Sequence, residues 1–325
     1  ERATLLVMPK ILVTGSLTYD LFFTYEGSFQ EGITRGDLDH LSLCFVTQNH
    51  ARAHGGTGAN IAWNLHLLHE DPLLVGTVGH DGGPYCAFLQ EHGVSTTHVD
   101  MLHEHATSTA VIGTDSSQRQ ITFFHPGADA KGVWPVSRLA PSTISCAITA
   151  PRDVRVTMEA LTWCHQQSIP CVFDPGQNML CFTTDDLRRG LGLAAGLVVN
   201  ASEWETLVSL LSASLEDVLS VVPWVIGTHG AEGCRVHTRD ESLRLPACSV
   251  TTVVDPTGAG DAFRAGLLAG MARGWPLVDG CKLGAALAAK VVGQQGCLLP
   301  MCDLDEVFQK VRTVYGSALC LPPLS

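Results

Sequence analysis

The chain lacks the features that would mark a membrane, nucleic-acid or metal-centred protein. Its apolar runs break well before the ~20 residues that a membrane span requires, and its N-terminus has no signal-peptide layout. Charged residues are only 16% of the 325, and 20 Lys and Arg against 32 Asp and Glu leave a formal net charge of −12. No basic patch offsets that excess, which argues against nucleic acid and anionic membranes as partners. Twelve cysteines contain no Cys-x-x-Cys pair, and fourteen histidines contain no His-Glu-x-x-His. Those spacings argue against a disulfide framework and a protein-only transition-metal site. Several cysteines sit in apolar contexts where the residue acts as a small hydrophobe, so reduced thiols in a cytoplasmic protein are expected. Met8 is a candidate natural start, with residues 1–7 left open by the sequence.

What the chain does have is an alternation of short apolar strands with longer amphipathic helices, the pattern of a parallel sheet covered on both faces. The strands are expected at Ile11–Thr14, Leu73–Val78, Ile144–Ile148, Cys171–Asp174, Gly196–Asn200 and Trp224–Thr228. The helices are expected at Ala59–Leu68, Pro84–Glu91, Val154–Gln167, Ser202–Leu211, Ala259–Arg273 and Leu277–Gly293. Two regions break the rhythm: Leu21 to Arg52, with β-rich runs at Phe22–Tyr25 and Leu41–Val46, and Thr107 to Phe124. Their spacing suggests a small sheet made of two discontinuous segments, with a surface hairpin or a dimer edge as compatible readings.

The most informative stretch is Val254-Asp255-Pro256-Thr257-Gly258-Ala259-Gly260-Asp261-Ala262-Phe263. A glycine-rich turn opens a helix whose first turn carries a carboxylate. Amides of Gly258, Ala259 and Gly260 can converge on an anion, and the helix N-terminus adds a favourable field. Asp261 beside such a nest suits proton removal from a hydroxyl during phosphoryl transfer. A loop ending in a helix cap is the competing account of the turn taken alone.

Read with Arg264-Ala265-Gly266-Leu267-Leu268-Ala269-Gly270, a run suited to tight packing against a sheet, this stretch resembles the C-terminal signature of the ribokinase-like, or PfkB, carbohydrate and nucleoside kinases. His54-Gly55-Gly56-Thr57-Gly58-Ala59-Asn60 and the following Val75-Gly76-Thr77-Val78-Gly79-His80-Asp81 resemble the N-terminal signature. Gly55 and Gly56 would let backbone approach a ligand, and Asn60 offers a donor and an acceptor to a sugar hydroxyl. The strand-turn-carboxylate run from Ile11 to Asp20 completes three blocks in family order.

The resemblance implies a three-layer α/β/α core with a mostly parallel sheet and a small β lid that closes over the acceptor. On that basis the kinase core comprises 8–20, 53–106 and 125–325, and the lid 21–52 and 107–124. The resemblance further implies that Asp20 accepts hydrogen bonds from the acceptor's hydroxyls. Asn200 and Glu203 would organise water, Mg²⁺ and phosphate, although by themselves they read as a helix cap and a first-turn acid. Thr228, Gly230 and Gly233 match a turn near the ATP phosphates and ribose, against a plain β-turn. Adenine is expected between the loop after Val253 and the helix around Ala288–Gly293. Asp255 falls where members place a K⁺ ligand, against an ordinary turn role.

Gln120–Ala128 together with Asp261–Arg264 look like the bacterial adenosine-kinase-like branch. Phe123 and Phe124 offer flat apolar faces to a purine, and strand alternation sets them on opposite faces; Phe123 is assigned to the substrate, with lid packing as the other role. The expectation is an ATP- and Mg²⁺-dependent kinase of the primary hydroxyl of a nucleoside, adenosine first. A ribose or fructose kinase and a non-catalytic sensor are the alternatives. The molecule is expected to be a monomer or homodimer.

Overall fold

The computed structural model describes residues 9–34, 43–117 and 119–316. Met8, Leu41, Ser42 and Cys320 lie outside the described residues. The main sheet has nine strands: β1 (Lys10–Thr14), β4 (Asp71–Gly79), β5 (His98–Leu102), β8 (Ile144–Thr149), β9 (Cys171–Phe173), β10 (Gly196–Asn200), β11 (Trp224–Thr228), β12 (Cys234–Thr238) and β13 (Ser242–Leu245). They run in the order β13-β12-β11-β10-β9-β8-β1-β4-β5, parallel throughout except for the antiparallel β11-β12-β13 edge.

Strand burial explains the apolar runs. Ile11, Leu12 and Val13 are all fully buried, yet alternate residues enter different layers. Ile11, Val13, Val172, Val198 and Ile226 pack on the layer that holds α2 (Thr57–Leu67), α3 (Gly83–Glu91), α8 (Ala259–Ala272), α9 (Leu277–Val292) and α10 (Leu304–Tyr315). Leu12, Phe173, Leu197, Val199 and Val225 face the other layer, with α4 (Val154–Gln166), α5 (Thr184–Leu193), α6 (Ala201–Leu211) and α7 (Leu215–Val221). The glycines of α8 find their main use against α9 rather than the sheet. A Cβ on Gly266 would collide with the backbone of Gly284, so the two helices touch main chain to main chain.

A second, four-stranded sheet stands apart from the core: β2 (Thr18–Thr24), β3 (Asn49–Gly55), β6 (Ser108–Thr114) and β7 (Gln120–His125), in the order β3-β2-β6-β7. It is built from the two discontinuous segments, but it starts earlier than residue 21 and includes 53–55, because Thr18 already pairs with Gly55 and Ser108. Asp20 is therefore a lid residue. No strand forms at Leu43–Val46; Phe45 instead packs on Tyr25 and on Phe29 of the short α1 (Phe29–Thr34). No helix among the described residues is long and apolar enough to cross a membrane. Every described cysteine is a free thiol.

Candidate active site

The chain leaves β1 toward β4 on one side of the sheet, while β8 leads to β9, β10 and β11 on the other. The connections diverge outside the carboxyl ends of β1 and β8, where an open α/β sheet leaves a crevice. A cavity of about 290 Å³ opens there, lined by Thr57, Pro151, Asp174, Asn200, Glu203, Thr228, Gly230, Gly260, Asp261 and Arg264. A larger concavity of about 820 Å³ lies along α4 and α5, around Trp134, Arg155 and Arg189, and holds none of the constellation.

Asp261 sits in the first turn of α8 and is buried. Asn60, from α2, donates Nδ2 to Asp261 Oδ2 at 2.8 Å. Burial pushes the Asp261 carboxyl up to about 6, with Arg264 and the Asn60 hydrogen bond pulling the other way. The helix begins on Gly258, whose φ of 81° is the left-handed conformation that favours glycine. The nest is narrower than expected, because Ala259 N donates to Pro256 O at 3.2 Å. Gly258 and Gly260 retain amides with no protein acceptor among the described residues.

On the acceptor side, Asp20 lies against Gly55; a Cβ there would collide with the Asp20 carboxylate. The space beside Gly55 is thus taken by a protein carboxylate. Gly56, likewise, faces the backbone of Ser16 and Thr18. Burial and the neighbouring charge of Asp261 push the Asp20 carboxyl up to about 7. Tyr85 Oη donates to Gly55 O at 2.6 Å and so braces the same corner.

The lid register separates the two aromatic residues. Asp20 pairs with Ala53 and Ala110, and Ala110 with Phe124, so Phe124 shares the face of Asp20. Phe123 pairs with Val111, beside Leu21, on the opposite face and is 71% exposed. Adjacent residues of a strand point to opposite sides, which makes one position decisive.

On the phosphate side, Asn200 and Glu203 form a reciprocal capping box: Glu203 N donates to Asn200 Oδ1 at 2.9 Å and Asn200 N to Glu203 Oε2 at 2.7 Å. Their side chains do serve α6 as a cap, while both residues line the cavity. Burial and the nearby Asp174 raise the Glu203 carboxyl. Thr228 and Gly230 line the same cavity. Gly233 lies instead against the backbone of Leu245–Ala247, which accounts for its lack of a side chain. Asp255 accepts Thr257 N at 2.9 Å, Gly296 N at 3.0 Å and Gln295 Nε2 at 3.1 Å, the contacts of a loop clamp.

Three residues of the site went unassigned in the sequence. Arg264 forms a buried fork with Asp174, with Nη2 2.9 Å from Oδ1 and Nε on Oδ2, while Nη1 reaches Gly260 O at 3.1 Å. Burial works against the arginine's charge, but Asp174 outweighs it and raises its pKa. Arg264 was legible as the i+3 neighbour of Asp261 on one helix face, and Asp174 as the carboxylate closing an apolar strand. Cys297 carried no such signal. Its Sγ lies 3.3 Å from Asn60 Oδ1 and 3.5 Å from His54 O.

The chain has counterparts among known proteins in sequence and fold. Residues 8–303 match the model of the pfkB family carbohydrate kinases. The chain is 29% identical over 309 residues to a nucleoside kinase of Methanocaldococcus jannaschii, covering 94% of this chain and 97% of that one. It is 31% identical to Burkholderia thailandensis nucleoside kinase. The inosine complex of that enzyme superposes with a TM-score of 0.86, covering 95% of this chain and 99% of that one. Its ADP-inosine complex gives 0.83, covering 97% and 100%. With its ribokinase-like core and smaller sheet, and the family model matched over most of its length, the chain belongs to the pfkB family of carbohydrate kinases and is a phosphotransferase.

Proposed function

We propose that the protein is an ATP-dependent nucleoside kinase that phosphorylates the 5′-type primary hydroxyl of a purine nucleoside, with adenosine, giving AMP, as the leading acceptor. The observation that carries this reading is Asp261, a buried carboxylate in the helix turn that holds the open amides of Gly258 and Gly260, and close enough to Asp20 to act on its charge. A base is useful at that point only if a hydroxyl is attacking a phosphoryl group. The bound inosine of the B. thailandensis enzyme supports a purine nucleoside over a free sugar.

In the proposed reaction Asp20 holds the acceptor's hydroxyls and Asn60 holds Asp261 in place. The acceptor oxygen forms its bond to the γ-phosphorus as the bond from that phosphorus to the bridging oxygen breaks. Asp261 takes the hydroxyl proton, ADP carries away the bond electrons, and the amides of Gly258 and Gly260 receive the moving charge. Lid closure over the acceptor excludes water. Thr228 and Gly230 face the phosphates. The exposed Val253 and Val254 offer adenine an apolar seat, and Val254 N, bonded to Val292 O at 2.9 Å, holds that loop against α9.

The cavity wall fits a magnesium nucleotide better than free ATP. It presents Asp174, Glu203 and Asp261 against the single guanidinium of Arg264, an excess of negative charge that would repel an uncompensated triphosphate. Asn200 and Glu203 would hold Mg²⁺ through water, and the ion, when bound, neutralises phosphate charge. The donor set around Asp255 is that of a clamp rather than a cation cage, so no step is assigned to K⁺.

The test is ATP consumption with Mg²⁺, with and without K⁺, against adenosine, inosine, guanosine, cytidine, ribose and fructose. The expected result is a kcat/KM at least about tenfold higher for a purine nucleoside than for either sugar, the worth of roughly 1.4 kcal/mol of base contact. Preference for ribose or fructose would make the chain a sugar kinase. Binding without turnover on any acceptor would make it a sensor.

A further inference from the structure

The nucleotide and acceptor walls meet at a residue that the reaction itself does not use. Cys297 follows α9 and is buried. Its sulfur lies 3.3 Å from Asn60 Oδ1, and the other end of the same amide, Nδ2, lies 2.8 Å from Asp261 Oδ2. A Cβ on Gly258 would stand 2.6 Å from Cys297 Cβ, so the cysteine also backs the glycine of the anion nest. One side chain thus touches both the group that orients the base and the turn that receives the phosphoryl charge.

An amide has a donor end and an acceptor end, and a primary amide beside a carboxylate can present either. Only the NH₂ end stabilises the ionised carboxylate; the oxygen end favours the protonated acid, which cannot accept a proton. The Cys297 thiol has one proton and two oxygens within reach, Asn60 Oδ1 at 3.3 Å and His54 O at 3.5 Å; given to the nearer one, the S–H selects the first arrangement. The thiol keeps its proton, since burial pushes Cys297 up to about 12, with Asp261 and Asp20 adding to the effect.

We propose that Cys297 is a positioning residue for phosphoryl transfer: by donating S–H to Asn60 Oδ1 it locks the Asn60 amide with its NH₂ toward Asp261. This rests on the reading of Asp261 as the base. The groups facing that carboxylate are Arg264 on its own helix, Asp174 beyond β9, Glu203 on α6, Asp20 on β2, Asn60 on α2 and Cys297 itself. Among them Asn60 is the one uncharged group that can reverse its effect by a half turn.

The experiment is steady-state kinetics of the full chain across pH 5 to about 9 for Cys297→Ala, Cys297→Ser and Asp261→Asn, with adenosine or whichever acceptor the screen selects. Loss of one neutral hydrogen bond lowers kcat of Cys297→Ala about three- to tenfold. The KM for ATP stays unchanged, and the acid limb of the kcat profile moves to higher pH because the carboxylate loses an oriented N–H donor. Cys297→Ser, which keeps a donor at this position, restores both kcat and the limb. A Cys297→Ala enzyme with wild-type kcat and pH profile overturns the proposal. So does a serine variant as impaired as the alanine one, since the effect would then be packing. If the alanine protein does not fold, a serine variant whose acid limb moves upward overturns it equally. Near-normal turnover in Asp261→Asn would instead remove the base assignment, whereas an inactive Asp261→Asn beside an unperturbed Cys297→Ala removes only the lock.

Discussion

The two walls that meet at Asp261 are built on opposite terms. On the phosphate side the polar side chains are already satisfied: Asn200 and Glu203 cap each other, Arg264 forks Asp174, and Asp255 is held by three N–H donors. On the acceptor side Asp20 accepts no hydrogen bond from any described residue and is flanked by Ala53, Ala110 and Phe124. The first wall is paired within the protein, which under the proposed function makes it a finished scaffold for a cofactor that every turnover shares. The wall around Asp20 holds a half-buried carboxylate with no protein partner among the described residues; under the proposed function its partners come from the substrate, and specificity then resides where the protein leaves its own groups unpaired.

Asp261→Asn is the largest test of that contrast, because it removes chemistry while leaving both walls in shape. Turnover should fall by about two to four orders of magnitude, with the KM of ATP and of acceptor within a few-fold of wild type, as read by steady-state kinetics. Breaking the finished wall should instead cost stability. Arg264→Met leaves Asp174 buried without its cation, and the loss should be about 3–5 kcal/mol, seen in the denaturant midpoint.

The unfinished wall should answer in affinity. Phe124→Ala should raise acceptor KM about three- to tenfold, the range of an aromatic contact, while Phe123→Ala stays within about twofold. The reverse result would return the base to the face that Phe123 occupies. The smallest signal is the proton balance at Asp20. Acceptor hydroxyls that donate to its carboxylate favour the ionised form, so binding near pH 7 should release a fraction of a proton, measured by calorimetry in buffers of different ionisation heat. Its raised pKa contributes stability that is present below about pH 4 and lost as pH rises through about 7. Asp20→Asn should consequently raise Tm at pH 8 and leave it unchanged at pH 4.

The buried strands were legible because parallel strands covered on both faces read as apolar runs, and Ile11–Val13 or Leu197–Val199 admit little else. The β12-β13 hairpin is not legible in the sequence, since its turn at Arg239-Asp240-Glu241 contains no glycine or proline to mark it. The helix α10 went unnamed although Asp303 caps it, accepting Asp305 N at 2.9 Å. Motif spacing singled out Asp261, Asn60 and Asp20, and the fold sets Asn60 in hydrogen-bond contact with Asp261 and Asp20 within reach of its charge. It could not choose between Phe123 and Phe124, because alternation is a property of the ladder's register, not of either residue. Nor could it find Cys297, whose contacts at Asn60 and Gly258 join residues far apart in the chain.

The central seam of the lid pairs Thr18–Thr24 with Ser108–Thr114 in parallel. Segments so distant in the chain cannot find each other cheaply until β1, β4 and the helices between them have formed and brought their ends together. We expect the lid sheet, which stands apart from the core, to be among the first parts lost on partial unfolding: a chain without its lid ladder still carries α8 and its turn. Such a molecule would keep a seat for nucleotide while having nowhere to put the nucleoside, and the order in which the two ligands protect the chain from unfolding follows from that asymmetry.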